Sequence, residues 1–198
     1  MFHVKHEGWT PDDLSPDQLA ALERYERLLE ELAIPRGMIA SSDREHLRTR
    51  HILDSLRAVP FIETDADPVL DLGSGPGLPG VPIAVARPDV SVILTEPRQA
   101  RAAFLELVAE QLELQNVRVV PQQAESLLSG CAVCCARGFG DTARTWAVAK
   151  KLLRPEGDLI YWAGSTFRLA QTPADARVRA IGPATLESGG PIVIMTQR

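Results

Sequence analysis

Ten residues, Asp71-Leu-Gly-Ser-Gly-Pro-Gly-Leu-Pro-Gly80, constrain this chain more than any other stretch, with four glycines in their last eight positions. Val69 and Leu70 precede them, and an apolar segment from Val81 to Ala86 follows. That layout predicts a strand, a tight turn and a helix start, where open α/β sheets bind nucleotide-like ligands. Gly75-Pro-Gly77-Leu-Pro-Gly80 also satisfies the dinucleotide-binding pattern. A pyrophosphate, however, is held by backbone N–H donors at a helix N-terminus, and Pro76, Pro79 and Pro82 each lack one. Asp71 would also set a negative charge beside a doubly negative ligand. S-adenosylmethionine carries no phosphate and has a cationic amino group and a sulfonium, and so suits the same residues. The plainer alternative is a glycine turn that only packs helix on strand.

At 198 residues, 45% of them hydrophobic, the chain can bury one substantial core. We expect a single unit over 1–198, with a helical extension at 14–60 and a cofactor-binding sheet at 68–198. No run approaches the roughly 18 apolar residues of a membrane span. Residues 1–7 contain no apolar signal core. A monomeric cytoplasmic protein without a membrane partner is the expectation. Cys131, Cys134 and Cys135 have no second pair and no nearby histidine to complete a four-ligand zinc site, so no metal is expected. The segment 131–136 reads instead as a buried strand in which cysteine is a small hydrophobe. Net charge is −5, which by itself speaks against nucleic acid. Of 26 acids and 21 bases, eight and three fall within 1–31, so the rest of the chain is balanced and locally basic surfaces remain open.

Ser15-Pro16-Asp17-Gln18 offers an N-cap, a proline at the first helical position and a capping box, with Leu14 and Leu19 placed as a hydrophobic staple. Helical spacing of Leu19, Leu22, Leu29 and Leu32 then runs to Pro35. Ser42 and Glu45 repeat the capping signal for a second helix reaching about Val59. Beyond it, strands are expected at 68–72, 90–95, 117–120, 131–136, 158–162 and 192–196, and helices at 79–86, 98–114 and 141–153. Such alternation predicts an α/β, Rossmann-like sheet, mostly parallel, with a C-terminal antiparallel strand and two N-terminal helices before it. The stretch 165–191 shows no clear period.

Ligands in such sheets sit outside the carboxyl ends of the strands. Those ends carry Asp71 and Gly73, then Glu96, whose carboxylate can accept ribose hydroxyls. After the third strand come Ala124 and Glu125, an alanine against which an adenine can lie and an acid that can read its edge. After the fourth comes Arg137, which can face a cofactor carboxylate or a phosphate. The second helix carries Arg44, Arg48 and His51 at spacings that share one face, with Arg50 and Asp54 as an i,i+4 pair. This basic face is either a phosphate-contacting surface or simply solvated.

Arg50-His-Ile-Leu-Asp-Ser55 followed by the glycine stretch resembles the bacterial 16S rRNA guanine-N7 methyltransferase family, glucose-inhibited division protein B. The likeness is clear from about residue 44 to Arg137. It implies methyl transfer from S-adenosylmethionine to N7 of a guanine in 16S rRNA, with the rRNA or the 30S subunit as partner. By position it implies cofactor contacts at Gly73 and Leu78, an adenine-side pair at Ala124 and Glu125, and a role for Arg137. Asp71, Gly75 and Glu96 join this cofactor set on the roles argued above, and Arg44, Arg48, Arg50 and His51 are the RNA candidates. Gly37, Ala100, Gly138 and Ala163 depart from the family pattern. A methyltransferase acting on another substrate, or an RNA-binding module with weakened catalysis, remain the alternatives. N7 of neutral guanine already presents a lone pair, so no general base is expected and no catalytic residue is assigned.

Overall fold

The computed structural model describes residues 10–63, 66–128, 130–182 and 190–198; the reading of the first seven residues lies outside them. Among the described residues seven strands form one sheet: β1 (Val69–Asp71), β2 (Val92–Thr95), β3 (Val117–Val120), β4 (Cys131–Arg137), β5 (Leu153–Trp162), β6 (Ala176–Gly182) and β7 (Ile192–Gln197). Their order is β3-β2-β1-β4-β5-β7-β6. The first five are parallel, while β7 is antiparallel to both β5 and β6. Chain progression reverses between β1 and β4, so the switch point is flanked by the ends of those two strands, at Asp71 and Arg137.

Helices cover both faces. On one side lie α1 (Pro16–Leu28), the short α2 (Leu53–Leu56), α3 (Gly80–Ala86) and α4 (Gln99–Gln111). Their buried side chains, among them Leu22, Leu56, Ile83 and Leu105, join Val69, Val92 and Ile160 of the sheet in one cluster. On the other side α5 (Thr142–Leu152) buries Trp146, Ala149 and Leu152 against Leu70, Cys134 and Leu159. Cys134 and Cys135 are wholly buried free thiols and Cys131 nearly so, as a strand of small hydrophobes requires. Among the described residues no helix is long and apolar enough to cross a membrane.

The first capping box forms: Gln18 N–H donates to Ser15 Oγ at 3.2 Å, and Ser15 N–H to Gln18 Oε1 at 2.8 Å. Leu14 is buried, whereas its expected staple partner Leu19 remains 38% exposed. The second expected helix is not regular. It winds as a 3-10 turn over Ser41–His46, a π segment over Leu47–Ile52, then α2. Ala40, not Ser42, precedes its first turn, and no side chain caps it. His46, at φ −121° and ψ 8°, leaves the helical region and lets the winding change. Other elements also differ from expectation: α4 ends at Gln111 rather than near 114. β2 begins two residues later than expected. β5 begins at Leu153, where a register shift opposite Cys131 and Val133 absorbs the Pro-Glu-Gly stretch before Asp158. β6 occupies part of the stretch that showed no period; Ala176 and Val178 turn toward the core while Arg177 and Arg179 are largely exposed.

Tyr25 of α1 is the link between the N-terminal segment and the glycine turn. Its ring is fully buried, and its hydroxyl donates to Pro76 O at 2.8 Å. Tyr25→Phe should therefore cost about 1 kcal/mol of stability, read as a lower urea midpoint with an unchanged slope. An unchanged midpoint would show that the bond contributes nothing net.

Candidate functional site

The turn after β1 is held open by glycine conformation and closed by its own hydrogen bonds. Gly73 and Gly75 adopt φ +66° and +57°, which a side chain rarely tolerates. Every N–H from Leu72 to Gly80 is already engaged. Leu72 donates to Cys135 O, Gly73 to Thr95 Oγ1 at 3.0 Å, Ser74 to Thr95 O at 2.7 Å and Gly75 to Glu96 Oε2 at 3.2 Å. Gly77 and Leu78 both donate to Ser74 O, and Gly80 to Asp71 Oδ2 at 3.1 Å. Pro76 and Pro79 have no N–H to offer. A pyrophosphate would find no free backbone donor along this turn, whereas a phosphate-free, cationic ligand loses nothing by that.

Asp71 lies wholly buried beneath the turn, and its Oδ1 has no hydrogen-bond partner among the described residues. Burial raises its pKa to about 7, against the lowering influence of Ser74, the Gly80 N–H and Arg137. Glu96 is 4% exposed, and its Oε1 accepts from Arg98 N–H at 2.9 Å. With Gly75 N–H on its other oxygen and Arg101 Nη1 at 3.8 Å, it braces the turn while keeping a lone pair on each oxygen.

Two cavities open at the carboxyl edge of the sheet. The smaller, about 320 Å3, is walled by Gly73, Gly75 and Leu78 of the turn, Met38 and Ile39 of the N-terminal segment, and Arg101 of α4. The larger, about 650 Å3, is bounded by Arg50, Asp54, Tyr161, Trp162, Ala163 and Gly190. Asp43, His51, Arg137 and Gly138 line both. These four therefore stand at the junction.

The junction is tied together across long stretches of chain. Arg137 Nη2 donates to Arg50 O at 2.7 Å and lies 3.1 Å from His51 Nδ1. Its Nη1 donates to His51 O at 3.3 Å and faces Asp54 Oδ2 at 3.5 Å. Asp54 also pairs with Arg57 at 2.6 Å, and its carbonyl accepts from Trp162 Nε1 at 3.1 Å. His51 Nε2 lies 3.1 Å from Asp43 Oδ2. Burial and the Arg137 cation hold the His51 pKa below its ordinary value, opposed by Asp43 and Asp54.

Of the residues singled out in the sequence, Gly73, Gly75, Leu78 and Arg137 share the smaller cavity, with Asp71 and Glu96 behind its wall. Ala124 is buried and Glu125 exposed on the 3-10 turn after β3. Neither lines this cavity, and Glu125 lies 3.9 Å from Arg144. The basic residues of 41–56 do not form one outward face. Arg44 reaches Glu30 at 2.6 Å and Arg48 reaches Glu26 at 3.2 Å, both acids of the first helical segment. His51 turns inward, and Arg50 lies nearest Asp43 at 3.9 Å rather than pairing with Asp54. Tyr25, Asp43 and Trp162 went unforeseen. Aromatic residues in apolar patterns announce burial but not their polar partner, and Asp43 reads as a first-turn acid.

The family described as rRNA small subunit methyltransferase G matches residues 18–180. A ribosomal RNA small subunit methyltransferase G from Xanthomonas axonopodis pv. citri is 40% identical over 168 residues, 83% of this chain and 78% of the relative. The protein of that name from Neisseria gonorrhoeae is 34% identical over 195 residues, 94% of this chain and 92% of its own. Among solved structures, an MtNAS variant in complex with S-adenosylmethionine superposes with a TM-score of 0.62 at 16% identity, covering 91% of this chain and 76% of that one. A SAM-dependent O-methyltransferase from Thermotoga maritima gives 0.58 at 14% identity, covering 78% and 69%. At such identities the structural likeness speaks for the fold.

Proposed function

The chain belongs to the rRNA small subunit methyltransferase G family, and on that footing we propose that it transfers a methyl group from S-adenosylmethionine to N7 of a guanine in 16S rRNA. The observation that carries this reading is the pair of adjoining cavities at the switch point. A donor-poor glycine turn walls one, and Arg50, Trp162 and Tyr161 bound the other. The smaller takes the cofactor and the larger the guanine, so that the reacting atoms meet beside Asp43, His51, Arg137 and Gly138. Of the positions where the chain departs from the family pattern, Ala163 falls in the larger cavity, on the substrate side, and Gly138 at the junction of the two.

S-adenosylmethionine supplies the methyl as an electrophile on a sulfonium. Gly73 and Gly75 leave room for close approach, and Leu78 packs against the ligand. Asp71 and Glu96 offer negative charge and free lone pairs toward cation and hydroxyl. Because N7 needs no deprotonation, the protein's task is alignment, and holding a nucleophile near its target is worth several powers of ten. N7 faces the deep, narrow major groove of A-form RNA, so the target guanine lies outside a regular duplex. The partner we infer is the assembled 30S subunit or its rRNA, met in the cytoplasm by a monomer.

The test is transfer of labelled methyl to 16S rRNA and to 30S particles lacking the modification, followed by nucleoside mapping. A single 7-methylguanosine is the expected product. Cofactor binding by calorimetry with no transfer to either RNA would overturn the assignment of substrate.

A further inference from the structure

We propose that His51 is a positioning residue for methyl transfer: as its neutral Nε2–H tautomer it links Asp43 to Arg137 and keeps the guanidinium donors of Arg137 off the guanine N7 that must attack. The inference rests on the reading above of the two cavities.

The direction of each bond follows from chemistry. A guanidinium only donates and a carboxylate only accepts. His51 Nδ1, 3.1 Å from Arg137 Nη2, must therefore be the accepting nitrogen. Its proton is then on Nε2, 3.1 Å from Asp43 Oδ2. Only this tautomer satisfies both neighbours. The imidazolium would lose the Arg137 bond and set two cations against each other, and the other neutral tautomer would turn a lone pair toward the carboxylate.

Such a link matters because of how arginine reads guanine. Its commonest contact is bidentate, to O6 and N7. In a guanine-binding protein that contact gives recognition. In an N7 methyltransferase it would occupy the lone pair that has to displace the methyl. Arg137 lines both cavities, within reach of a base placed between them. Its Nη groups, however, meet Arg50 O, His51 O, His51 Nδ1 and Asp54 Oδ2. His51 supplies two of these four acceptors, and its ring nitrogen, at 3.1 Å, is the nearer of the two side-chain acceptors, the Asp54 carboxylate lying at 3.5 Å. Held this way, Arg137 shapes the junction without competing for N7.

The charged groups around the ring are Asp43 and Arg50 of its own segment, Asp54 and Arg57 beyond it, and Arg137 of β4. Burial and the Arg137 cation outweigh the raising influence of Asp43 and Asp54, so His51 is protonated only below its usual range. Acidification should therefore release the link.

The experiment compares kcat and KM for 30S particles, together with a kcat–pH profile, in the wild type, His51→Phe and His51→Gln. In His51→Phe, kcat should fall between about 10- and 100-fold while KM for the particle stays level or drops, since freed Arg137 donors hold the base unproductively. His51→Gln presents an oxygen to Arg137 and an N–H to Asp43, and should restore kcat to within about threefold of wild type. The wild-type profile should show an acid limb below about pH 6.5 that the glutamine variant lacks. With S-adenosylmethionine saturating, so that its cation holds Asp71 ionised throughout the profile, an unchanged kcat in His51→Phe, a rise in KM alone, or an acid limb that persists in His51→Gln would overturn the proposal. Should His51→Phe fail to fold, the glutamine profile still decides. A wild-type enzyme that methylates no guanine N7 would instead overturn the underlying reading, so the two failures are separable.

Discussion

Gly73→Val is expected to abolish measurable S-adenosylmethionine binding in a chain that still folds. Gly73 adopts φ +66°, and a Cβ there would lie 2.9 Å from Phe139 Cδ2. Two branches beyond that Cβ would have to displace the Phe139 ring or enter the smaller cavity, whose wall Gly73 forms. Backbone strain at such a position costs about 1–3 kcal/mol, and lost access should lower affinity by about 100-fold or more, worth roughly 3 kcal/mol. Gly37→Ala is the control. It has the same φ of +66° with nothing within 4 Å of the new Cβ, and it lies outside the cavity wall. It carries the strain without the obstruction, so calorimetry should find its affinity unchanged. Undiminished affinity in folded Gly73→Val would remove the glycine turn from the cofactor site.

Asp71→Asn should stabilise the fold in alkaline solution. The carboxyl titrates at about 7 in the folded chain against an ordinary 3.8. Below the lower value both states are protonated and burial carries no penalty. Between the two, the unfolded chain ionises while the folded one does not, and stability is lost. Above about 7 the loss is complete, roughly 4 kcal/mol at 1.36 kcal/mol per unit. Asparagine cannot ionise and still offers an oxygen to the Gly80 N–H that Asp71 Oδ2 now accepts. Its advantage over wild type should widen by about 2 kcal/mol or more between pH 5 and pH 8 in urea melts. A gap independent of pH would mean the buried carboxyl titrates normally. The same substitution should weaken S-adenosylmethionine binding, because a cationic ligand draws on the ionised form. Asp71 thus exchanges stability for an anion beneath the turn.

Much of this was legible from the letters alone. Glycine spacing and the apolar runs around it located the turn, and β1, β4 and β7 followed from continuous hydrophobic stretches, as strands buried on both faces do, while the half-exposed edge strand β3 showed in the valines around Arg118. What escaped had physical causes. The pairing of Arg44 and Arg48 with Glu30 and Glu26 joins two elements, and intra-helix spacing carries no record of it. Glu96 and Asp71 read as ligand contacts because acids at strand ends usually are. Spacing did not reveal that the chain's own Gly75, Arg98 and Gly80 N–H groups also donate to them. β6 did leave a trace, the alternation of Ala176 and Val178 with Arg177 and Arg179, hidden in a stretch whose flanks have no period.

The bonds that fasten residues 41–56 to the sheet also order events during synthesis. Arg137 Nη2 to Arg50 O spans 87 residues, and Trp162 Nε1 to Asp54 O spans 108. The segment that walls both cavities thus leaves the ribosome while its anchors are still unmade, and closing loops of that length slows docking. A nascent chain carries the glycine turn well before it carries a junction, and competence for RNA arrives only when β4 and β5 have been added to the sheet.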